Sequence, residues 1–393
     1  MTPDVPASQL PPIPLCAPEI RGNEWNNVKE CLEGGWVSSV GEFVVRFEQE
    51  LARCTGARFG IATSSGTAAL HVALLVAGVE PEDEVIVSAL TFIAPANAVR
   101  YVGAWPIFID AEPEFWQMDP QRLNDFLQHG CIWRDGALYN RESGRRVKAI
   151  VPVHILGHPV DMDPILEAAR RYSLVVIEDA TESLGATYRG KEVGHLGDLA
   201  CFSFNGNKVI TTGGGGILLT DREDWATRAR HLTTQAKSDP LEYIHDEIGF
   251  NYRLTNIQAA VGVAQLELLD EYVAAKRQIA ARYCEGLAGI HGIGLPRQAA
   301  WAESIWWLYT IRVREAGTGI SSRALMQVLQ EAGIQSRPLW QPLHLSPAHA
   351  ASPCLPCPTA AQLYREGLSL PSSVGLSPRD QDRVIGAIAE ALQ

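Results

Sequence analysis

Between residues 44 and 265 the chain alternates short apolar runs with segments whose apolar residues recur at helical spacing. Strands separated by helices of about 10–15 residues are typical of βαβ units, which build mostly parallel sheets. The run 174–177 is apolar on both faces, as expected for a parallel strand covered on both sides. We therefore predict an α/β fold with a mostly parallel sheet. The predicted strands are 59–63, 84–88, 106–110, 149–153, 175–178 and 200–204, and the helices between them include 44–54, 67–77, 94–102 and 163–172.

The pattern changes twice along the chain. Residues 129–147 interrupt the alternation with Gly, Arg and Asn, which predicts an insertion or a hairpin, and residues 254–287 form one long helical pattern broken at most once. Beyond residue 288 the pattern predicts a strand at 308–313 and helices at 321–331 and 380–392. The predicted division is a Pro-rich arm over 1–20, a large α/β domain over 21–275 and a smaller α+β domain over 276–393, with the boundary between 272 and 288.

Charge and composition exclude several classes of protein. The chain of 393 residues carries 45 acidic and 33 basic side chains, so it lacks the positive charge expected of a nucleic-acid-binding protein. No apolar run approaches the about 18 residues that a membrane-spanning helix needs. The N-terminus has no basic segment followed by an apolar one, so no signal peptide is predicted and a cytoplasmic location is expected.

The eight cysteines are scattered through a long chain, which is not the density of a disulfide-stabilised fold. Cys354 and Cys357 form a single C-x-x-C motif between prolines. A structural zinc site would need a second pair at suitable spacing, so no metal is predicted. The role of this pair is left open.

Lys208 is one of only six lysines, and its surroundings are unusual. It follows the predicted strand 200–204 and a polar loop, and four consecutive glycines follow at 213–216. A surface lysine in a Gly-rich turn is the simplest interpretation. However, consecutive glycines are typical of backbone that adopts positive φ or closely approaches another group. Because lysine condenses with aldehydes, Lys208 is also a candidate for Schiff-base chemistry.

Two further segments carry polar residues at the ends of predicted strands. Asp179 ends the strand that begins at residue 175, and ligands of open α/β sheets bind beyond the carboxyl ends of strands. Residues 62–70 place Ser65, Gly66 and Thr67 between a strand and a helix, where free backbone N–H groups favour a phosphate. Each segment also admits a simpler interpretation, which is capping of the following helix.

Together the three segments favour pyridoxal 5′-phosphate (PLP) as cofactor. PLP needs an anion site, a carboxylate that keeps its pyridine nitrogen protonated, and a lysine amine. The 62–70 segment, Asp179 and Lys208 supply one each. Phe92 follows another predicted strand and is a candidate for the aromatic side chain that covers the ring.

The order of five segments resembles the sugar-nucleotide aminotransferases of the DegT/StrS group, from about residue 17 to the C-terminus. The segments are SSGTAAL (64–70), TFIAPANAV (91–99), EDATESLGA (178–186), GDLACFSFNGNKVITTGGGG (197–216) and GFNYRLTNIQAAVG (249–262). The resemblance implies the fold-type I aminotransferase architecture and PLP as cofactor.

The resemblance also implies residue roles. Lys208 would bind the cofactor through a Schiff base and move the proton, Asp179 would pair with the pyridine nitrogen, and Phe92 would stack on the ring. Asn251 would reach the phosphate bound by the other subunit, which implies a homodimer with shared active sites. Glu182 stands where the commonest family motif has a Gln that contacts the 3-hydroxyl of the cofactor. The phosphate contacts would come from Ser65, Gly66, Thr67 and Ser203.

The segment 145–163 (RRVKAIVPVHILGHPVDMD) and the insertion before it resemble the branch that acts on UDP-4-keto-6-deoxy-N-acetylhexosamines. The predicted reaction is transfer of the amino group of L-glutamate to C4 of such a sugar, for the biosynthesis of surface glycans or glycoproteins. Two other enzyme functions remain open: a 3-keto-sugar aminotransferase, and a carbon–oxygen lyase, which the presence of Lys208 disfavours. A PLP-binding regulator is disfavoured because no basic DNA-binding module is present.

Residues that contact the substrate are less well marked by the sequence. For each histidine among the candidates a structural role is an equal alternative, and the pair Trp306–Trp307 and Tyr309 are expected to be packing residues. The candidate substrate-binding residues are Trp36, Ser38, His154, Arg253 and His344.

Overall fold

The computed structural model describes residues 11–239 and 241–392, so the first half of the predicted N-terminal arm lies outside it. The helices in these residues are α1 (Glu24–Gly34), α2 (Glu42–Thr55), α3 (Gly66–Val76), α4 (Ala94–Tyr101), α5 (Pro120–Asp125), α6 (Met162–Tyr172), α7 (Glu223–Thr233), α8 (Asn256–Leu266), α9 (Leu269–Leu287), α10 (Glu315–Thr318), α11 (Ser322–Glu331), α12 (Pro358–Glu366) and α13 (Pro378–Ala391).

The strands are β1 (Phe59–Thr63), β2 (Glu84–Ser88), β3 (Trp105–Ile109), β4 (Cys131–Arg134), β5 (Ala137–Asn140), β6 (Arg146–Val151), β7 (Val175–Asp179), β8 (Thr187–Tyr188), β9 (Lys191–Glu192), β10 (Leu199–Ser203), β11 (Gly216–Thr220), β12 (Lys237–Asp239), β13 (Ile244–His245), β14 (Ile293–Gly294), β15 (Ala302–Glu303), β16 (Thr310–Val313), β17 (Arg337–Pro338) and β18 (Gly367–Ser369).

The central sheet has the strand order β1-β11-β10-β7-β6-β2-β3. The neighbours from β10 to β3 are all parallel, whereas β11 runs antiparallel to both β1 and β10. Successive residues of a strand point to opposite faces. Accordingly, Val85 and Val87 belong to one hydrophobic cluster and Ile86 to another. The predicted α/β fold with a mostly parallel sheet, buried on both faces, is confirmed.

The register of the sheet brings the chemically interesting segments to one edge. Cys201 of β10 lies beside Asp179, the last residue of β7, and the two strands are parallel. On the other side, Thr63 at the end of β1 lies beside Gly216 at the start of β11. The N-terminus of α3 and the glycine run therefore meet at the same edge of the sheet as Asp179.

A second, four-stranded sheet has the order β14-β16-β18-β17. Together with α9, α11 and α13 it encloses a separate hydrophobic cluster that includes Tyr283 and Tyr309, whose rings stack with centroids 5.1 Å apart. Ile13 also belongs to this cluster. The predicted boundary between residues 275 and 276 falls inside α9, and the division into two domains stays a prediction.

Two irregular regions behave as their sequence indicates. The insertion at 129–147 contains the antiparallel hairpin β4–β5, which joins the central sheet through β6. The helical pattern of 254–287 is broken once, between α8 and α9. Among the residues that the structure describes, none of the helices has the length and apolar character needed to cross a membrane.

Candidate active site

A cavity of about 260 Å³ opens at the edge of the sheet where β7, β10 and the N-terminus of α3 meet. Eight predicted site residues line it: Ser65, Gly66, Thr67, Phe92, Asp179, Glu182, Ser203 and Lys208. Other residues of the lining were not predicted from the sequence to be site residues. They include Thr91, Thr181, Asn205, Asn207, Trp307 and Trp340.

Lys208 projects its amine into this cavity. Its Nζ lies 3.9 Å from Oε1 of Glu182 and 4.0 Å from the centre of the Trp307 ring. Burial lowers the pKa of Lys208 from its ordinary value, and the carboxylates of Glu182 and Asp179 oppose this effect. Because the neutral amine is the nucleophile, a lowered pKa favours attack of Lys208 on an aldehyde.

Asp179 forms the wall of the cavity at the end of β7, with only 2% of its surface exposed. One of its carboxylate oxygens accepts a hydrogen bond from the backbone N–H of Thr181 at 3.2 Å. Burial raises the pKa of Asp179, while the hydrogen bonds from Thr181 and the charge of Lys208 oppose the increase. A buried carboxylate of this kind stabilises a cationic ring nitrogen placed against it.

Glu182 is buried beside Asp179, and its two carboxylate oxygens have different partners. Oε2 accepts a hydrogen bond of 2.7 Å from the backbone N–H of Leu156, whereas Oε1 faces Lys208. Burial raises the pKa of Glu182 to about 7, and the positive charge of Lys208 opposes this effect. Glu182 therefore changes its charge near neutral pH, so it can either donate or accept a hydrogen bond there.

The opposite end of the cavity is built from backbone. Ser65 caps α3 by accepting a hydrogen bond of 3.0 Å from the N–H of Ala68, and the first turn of the helix opens into the cavity. Gly66 packs so closely on β10 that a Cβ there would lie 2.8 Å from Cβ of Ser203. A helix N-terminus with closely packed glycine and nearby hydroxyl groups suits a phosphate.

The glycine run has the backbone geometry expected from the sequence. Gly213 and Gly215 have φ of +77° and +149°, values that other residues rarely adopt. Gly214 and Gly215 line the cavity, and the run leads directly into β11. The glycines thus turn the chain back beside Lys208 without placing side chains in the cavity.

Phe92 and Trp307 supply the aromatic surface of the cavity. Phe92 is 53% exposed, in the loop between β2 and α4. Trp307 was expected to be a packing residue; it is buried in the main hydrophobic cluster, as expected, and it also lines the cavity. Its Nε1 donates a hydrogen bond of 2.7 Å to the carbonyl oxygen of Asn207, and its ring stacks on Trp340 at 6.1 Å. These contacts hold the Trp307 ring beside the amine of Lys208.

Three other predicted residues lie near the cavity but outside its lining. Trp36 and Arg253 line a neighbouring cleft, and Ser38 accepts a hydrogen bond from the N–H of Asn256 through its backbone. Within the described part of the chain, Nε of Arg253 is buried and has no hydrogen-bond partner. Asn251 is exposed and does not line the cavity of its own chain.

His154 does not reach the cavity, so we do not retain it as a substrate-binding residue. It is completely buried: its Nε2 contacts Oε2 of Glu178 at 3.1 Å, and its Nδ1 accepts a hydrogen bond from the N–H of Val160. Both ring nitrogens have partners inside the protein, which favours the structural alternative given for this histidine. His344 is half-buried outside the cavity lining, and burial lowers its pKa.

The residues present fit PLP. Lys208 offers the amine, and Asp179 offers the buried carboxylate. The first turn of α3 offers a phosphate site, and the close packing of Gly66 leaves no room for a side chain at that position. These groups occupy separate walls of one cavity. The arrangement therefore matches the three requirements of this cofactor.

Comparison with known proteins gives a consistent result. The DegT/DnrJ/EryC1/StrS aminotransferase family matches residues 18–389. GDP-perosamine synthase from Caulobacter vibrioides is 43% identical over 98% of this chain and 100% of its own. GDP-perosamine synthase from Escherichia coli O157:H7 is 37% identical over 93% of this chain and 94% of its own. The crystal structure of a DegT DnrJ EryC1 StrS aminotransferase from Brucella abortus superimposes with a TM-score of 0.85, is 30% identical, and covers 94% of this chain and 95% of its own.

Proposed function

The chain belongs to the DegT/DnrJ/EryC1/StrS aminotransferase family, and we propose that it transfers the amino group of L-glutamate to C4 of a nucleotide-linked 4-keto-6-deoxy sugar. The members of this family are PLP-dependent sugar aminotransferases, so the chain is an enzyme of that class. The observation that supports the proposed chemistry is that the amine of Lys208 shares one cavity with Asp179 and the first turn of α3.

When bound, PLP supplies an electron sink for the bond that breaks next to the amino nitrogen. With the cofactor in place, Lys208 would hold and move a proton at its Nζ, and burial, which lowers its pKa, favours this role. Asp179 would stabilise positive charge at the end of β7, and the buried ring of Trp307 would shield the amine of Lys208 from water. The N–H groups of the first turn of α3 would hold the phosphate of the cofactor.

The relatives favour a GDP-linked substrate. Two of them are GDP-perosamine synthases, one of which is 43% identical over nearly the whole chain. The segment 145–163 had suggested a UDP-linked N-acetylated sugar, and this substrate becomes the alternative. Transfer to C3 instead of C4 is the other alternative, which analysis of the product by NMR distinguishes.

The experiment follows the absorbance of the purified holoenzyme. L-glutamate is expected to convert the visible band of the PLP form into the near-ultraviolet band of the pyridoxamine form. A GDP-linked 4-keto-6-deoxy sugar is then expected to restore the visible band, whereas its UDP-linked N-acetylated counterpart is not. Recovery with the UDP sugar alone would reverse the choice of nucleotide. Absence of any response to glutamate would contradict the proposed amino donor.

We further propose a cytoplasmic homodimer in which each subunit completes the active site of the other. Asn251 does not line the cavity of its own chain, yet the segment that carries it pairs with the phosphate end: the N–H of Ser64 donates to the carbonyl oxygen of Tyr252 at 2.6 Å. A second subunit against this edge would bring its own Asn251 toward the phosphate.

A further inference from the structure

The C-x-x-C motif near the C-terminus has no part in the proposed reaction. Cys354 and Cys357 lie in the segment that leads into α12, and neither residue lines the cavity that holds Lys208. Cys354 is exposed, whereas Cys357 is buried. This asymmetry, with one accessible and one protected thiol, is what a stepwise thiol–disulfide exchange requires.

The two thiols lie against each other. The Sγ atoms of Cys354 and Cys357 both donate to the carbonyl oxygen of Leu355, at 3.0 and 3.1 Å, so one oxygen atom holds both. Because one carbonyl oxygen contacts both sulfur atoms, the two thiols lie close enough for side-chain rotation to bring them toward disulfide distance.

The backbone around the pair is fixed by its neighbours. The segment forms a β-bridge between Cys354 and Phe108 at the edge of the central sheet. Asp110, just beyond β3, caps α12 from outside by accepting hydrogen bonds from the N–H groups of Thr359 and Ala360 at 3.0 and 2.8 Å. Because Cys357 is the N-cap residue of α12, these contacts hold its sulfur beside Cys354.

The two thiols also differ in acidity: the exposed Cys354 has the lower pKa and the buried Cys357 the higher one. The neighbouring side chain of Cys357 lowers the pKa of Cys354, outweighing the effects of burial and of Asp110. The side chain of Cys354 and burial raise the pKa of Cys357. Cys54, the other exposed cysteine among the described residues, has its pKa raised to about 11 by burial of its thiol. Cys54 is therefore a matched control within the same chain.

We propose that Cys354 and Cys357 are a redox-active dithiol that small-molecule disulfides oxidise reversibly to an intramolecular disulfide. The Cys354 thiolate attacks one sulfur of the small disulfide, forms a mixed disulfide and releases the first small thiol. The thiolate of Cys357 then attacks Sγ of Cys354 and releases the second small thiol. The two cysteines lose two electrons and two protons, and the small disulfide gains them as two thiols.

The test exposes the folded holoenzyme to oxidised glutathione, blocks the remaining free thiols and maps the cysteines by mass spectrometry. We expect a Cys354–Cys357 disulfide that dithiothreitol reduces, formed at least about tenfold faster than any modification of Cys54. A mixed disulfide that persists on Cys354 in the unaltered protein, or modification of Cys54 before Cys354, would overturn the proposal.

Two single variants separate the steps. In Cys357→Ser the reaction is expected to stop at the mixed disulfide on Cys354, because the resolving thiol is missing. In Cys354→Ser the buried Cys357 is expected to stay reduced while the protein is folded. An equal rate of glutathione incorporation at Cys357 in that variant would show that the exposed thiol is not the point of attack. Both variants leave Lys208 and its cavity unaltered, so their PLP spectra report that the protein has folded.

Discussion

Lys208 sits 3.9 Å from the carboxylate of Glu182 and 4.0 Å above the ring of Trp307, in a cavity that removes most of the side chain from water. Replacing Lys208 by Ala is expected to abolish both the visible absorbance of the bound cofactor and turnover, because no other described lysine lines the cavity. Spectra and assays of Lys208→Ala test this expectation. Lys191→Ala, at an exposed position in β9, is the control and should behave like the unaltered enzyme. Turnover by Lys208→Ala would contradict the assignment.

Glu182 makes stability depend on pH in an unusual direction. Its pKa is raised from 4.5 to about 7, so the folded protein keeps a proton that the unfolded chain has already lost. The free energy of unfolding therefore falls as pH rises from the unfolded value toward the folded one, by on the order of 3 kcal/mol, and it levels off once the pH has passed through about 7.

Glu182→Gln removes this titration while keeping the hydrogen-bonding shape of the side chain. In urea denaturation of the cofactor-free protein, the variant is expected to lose less stability than the unaltered protein between pH 5 and 7. Groups that titrate elsewhere cancel in the difference between the two proteins. Parallel pH profiles would show that Glu182 is ionised throughout this range.

At the level of single residues, the sequence predicts the role of a residue when that role depends on the residue's position in the backbone. Asp179 and Lys208 follow strands of the sheet, so the fold itself brings them together. Trp307 comes from the loop before β16, and only packing across the molecule places its ring beside Lys208. His154 shows the opposite case: it stands in a suggestive segment, but Glu178 and Val160 occupy both its ring nitrogens.

The first turn of α3 tests the phosphate site at the scale of an element. Gly66→Ala would place Cβ 2.8 Å from Cβ of Ser203, so helix and strand must separate. We expect a loss of stability of about 1–3 kcal/mol and weaker binding of PLP, measured by denaturation and by spectroscopic titration. Gly386→Ala in α13 is the matched control, because its Cβ meets nothing within 4 Å. That substitution should stabilise by up to about 1 kcal/mol. Equal effects at both positions would contradict the close packing at Gly66.

Helices and strands whose apolar residues recur with a clear period are predictable from the sequence. The residues at which the helices begin are set by their capping side chains. β1 and β2 have the predicted bounds, and Ser65 and Thr255 cap α3 and α8 where the helical patterns begin. β11 was not predicted from the sequence, because it directly follows the glycine run. Its antiparallel position between β1 and β10 depends on the arrangement of the whole sheet. The two-residue strands β8, β9 and β15 likewise exist only through mutual pairing.

At the scale of the whole molecule, several large apolar side chains between residues 25 and 40 are exposed. Trp25, Leu32, Trp36 and Val40 are all more than half exposed, and Trp36 and Val40 line the same cleft as Arg253. Apolar patches of this kind usually mark protein–protein interfaces. We expect the proposed dimer to bury these side chains, and burial of the exposed Phe92 would in addition close the active site.

Shared active sites make a quantitative prediction for mixed dimers. Lys208→Ala removes the amine from its own cavity, whereas Asn251→Ala is expected to weaken phosphate binding in the cavity of the partner. In a dimer that contains one subunit of each variant, one site lacks both residues and the other has both. Under conditions where neither variant homodimer is active by itself, dimers assembled from equal amounts of the two variants should therefore regain about a quarter of the activity of the unaltered enzyme.

The measurement uses two affinity tags to isolate the mixed dimers, whose activity should then be about half that of the unaltered dimer. Mixed dimers of Lys208→Ala with the unaltered subunit are the control, because they keep one complete site under either arrangement. If Asn251 served the cavity of its own chain, each subunit of the mixed dimer would carry one defect and no complete site would form. Mixed dimers without recovered activity would therefore show that the site belongs to a single subunit, and the exposed face around Trp36 would need another explanation.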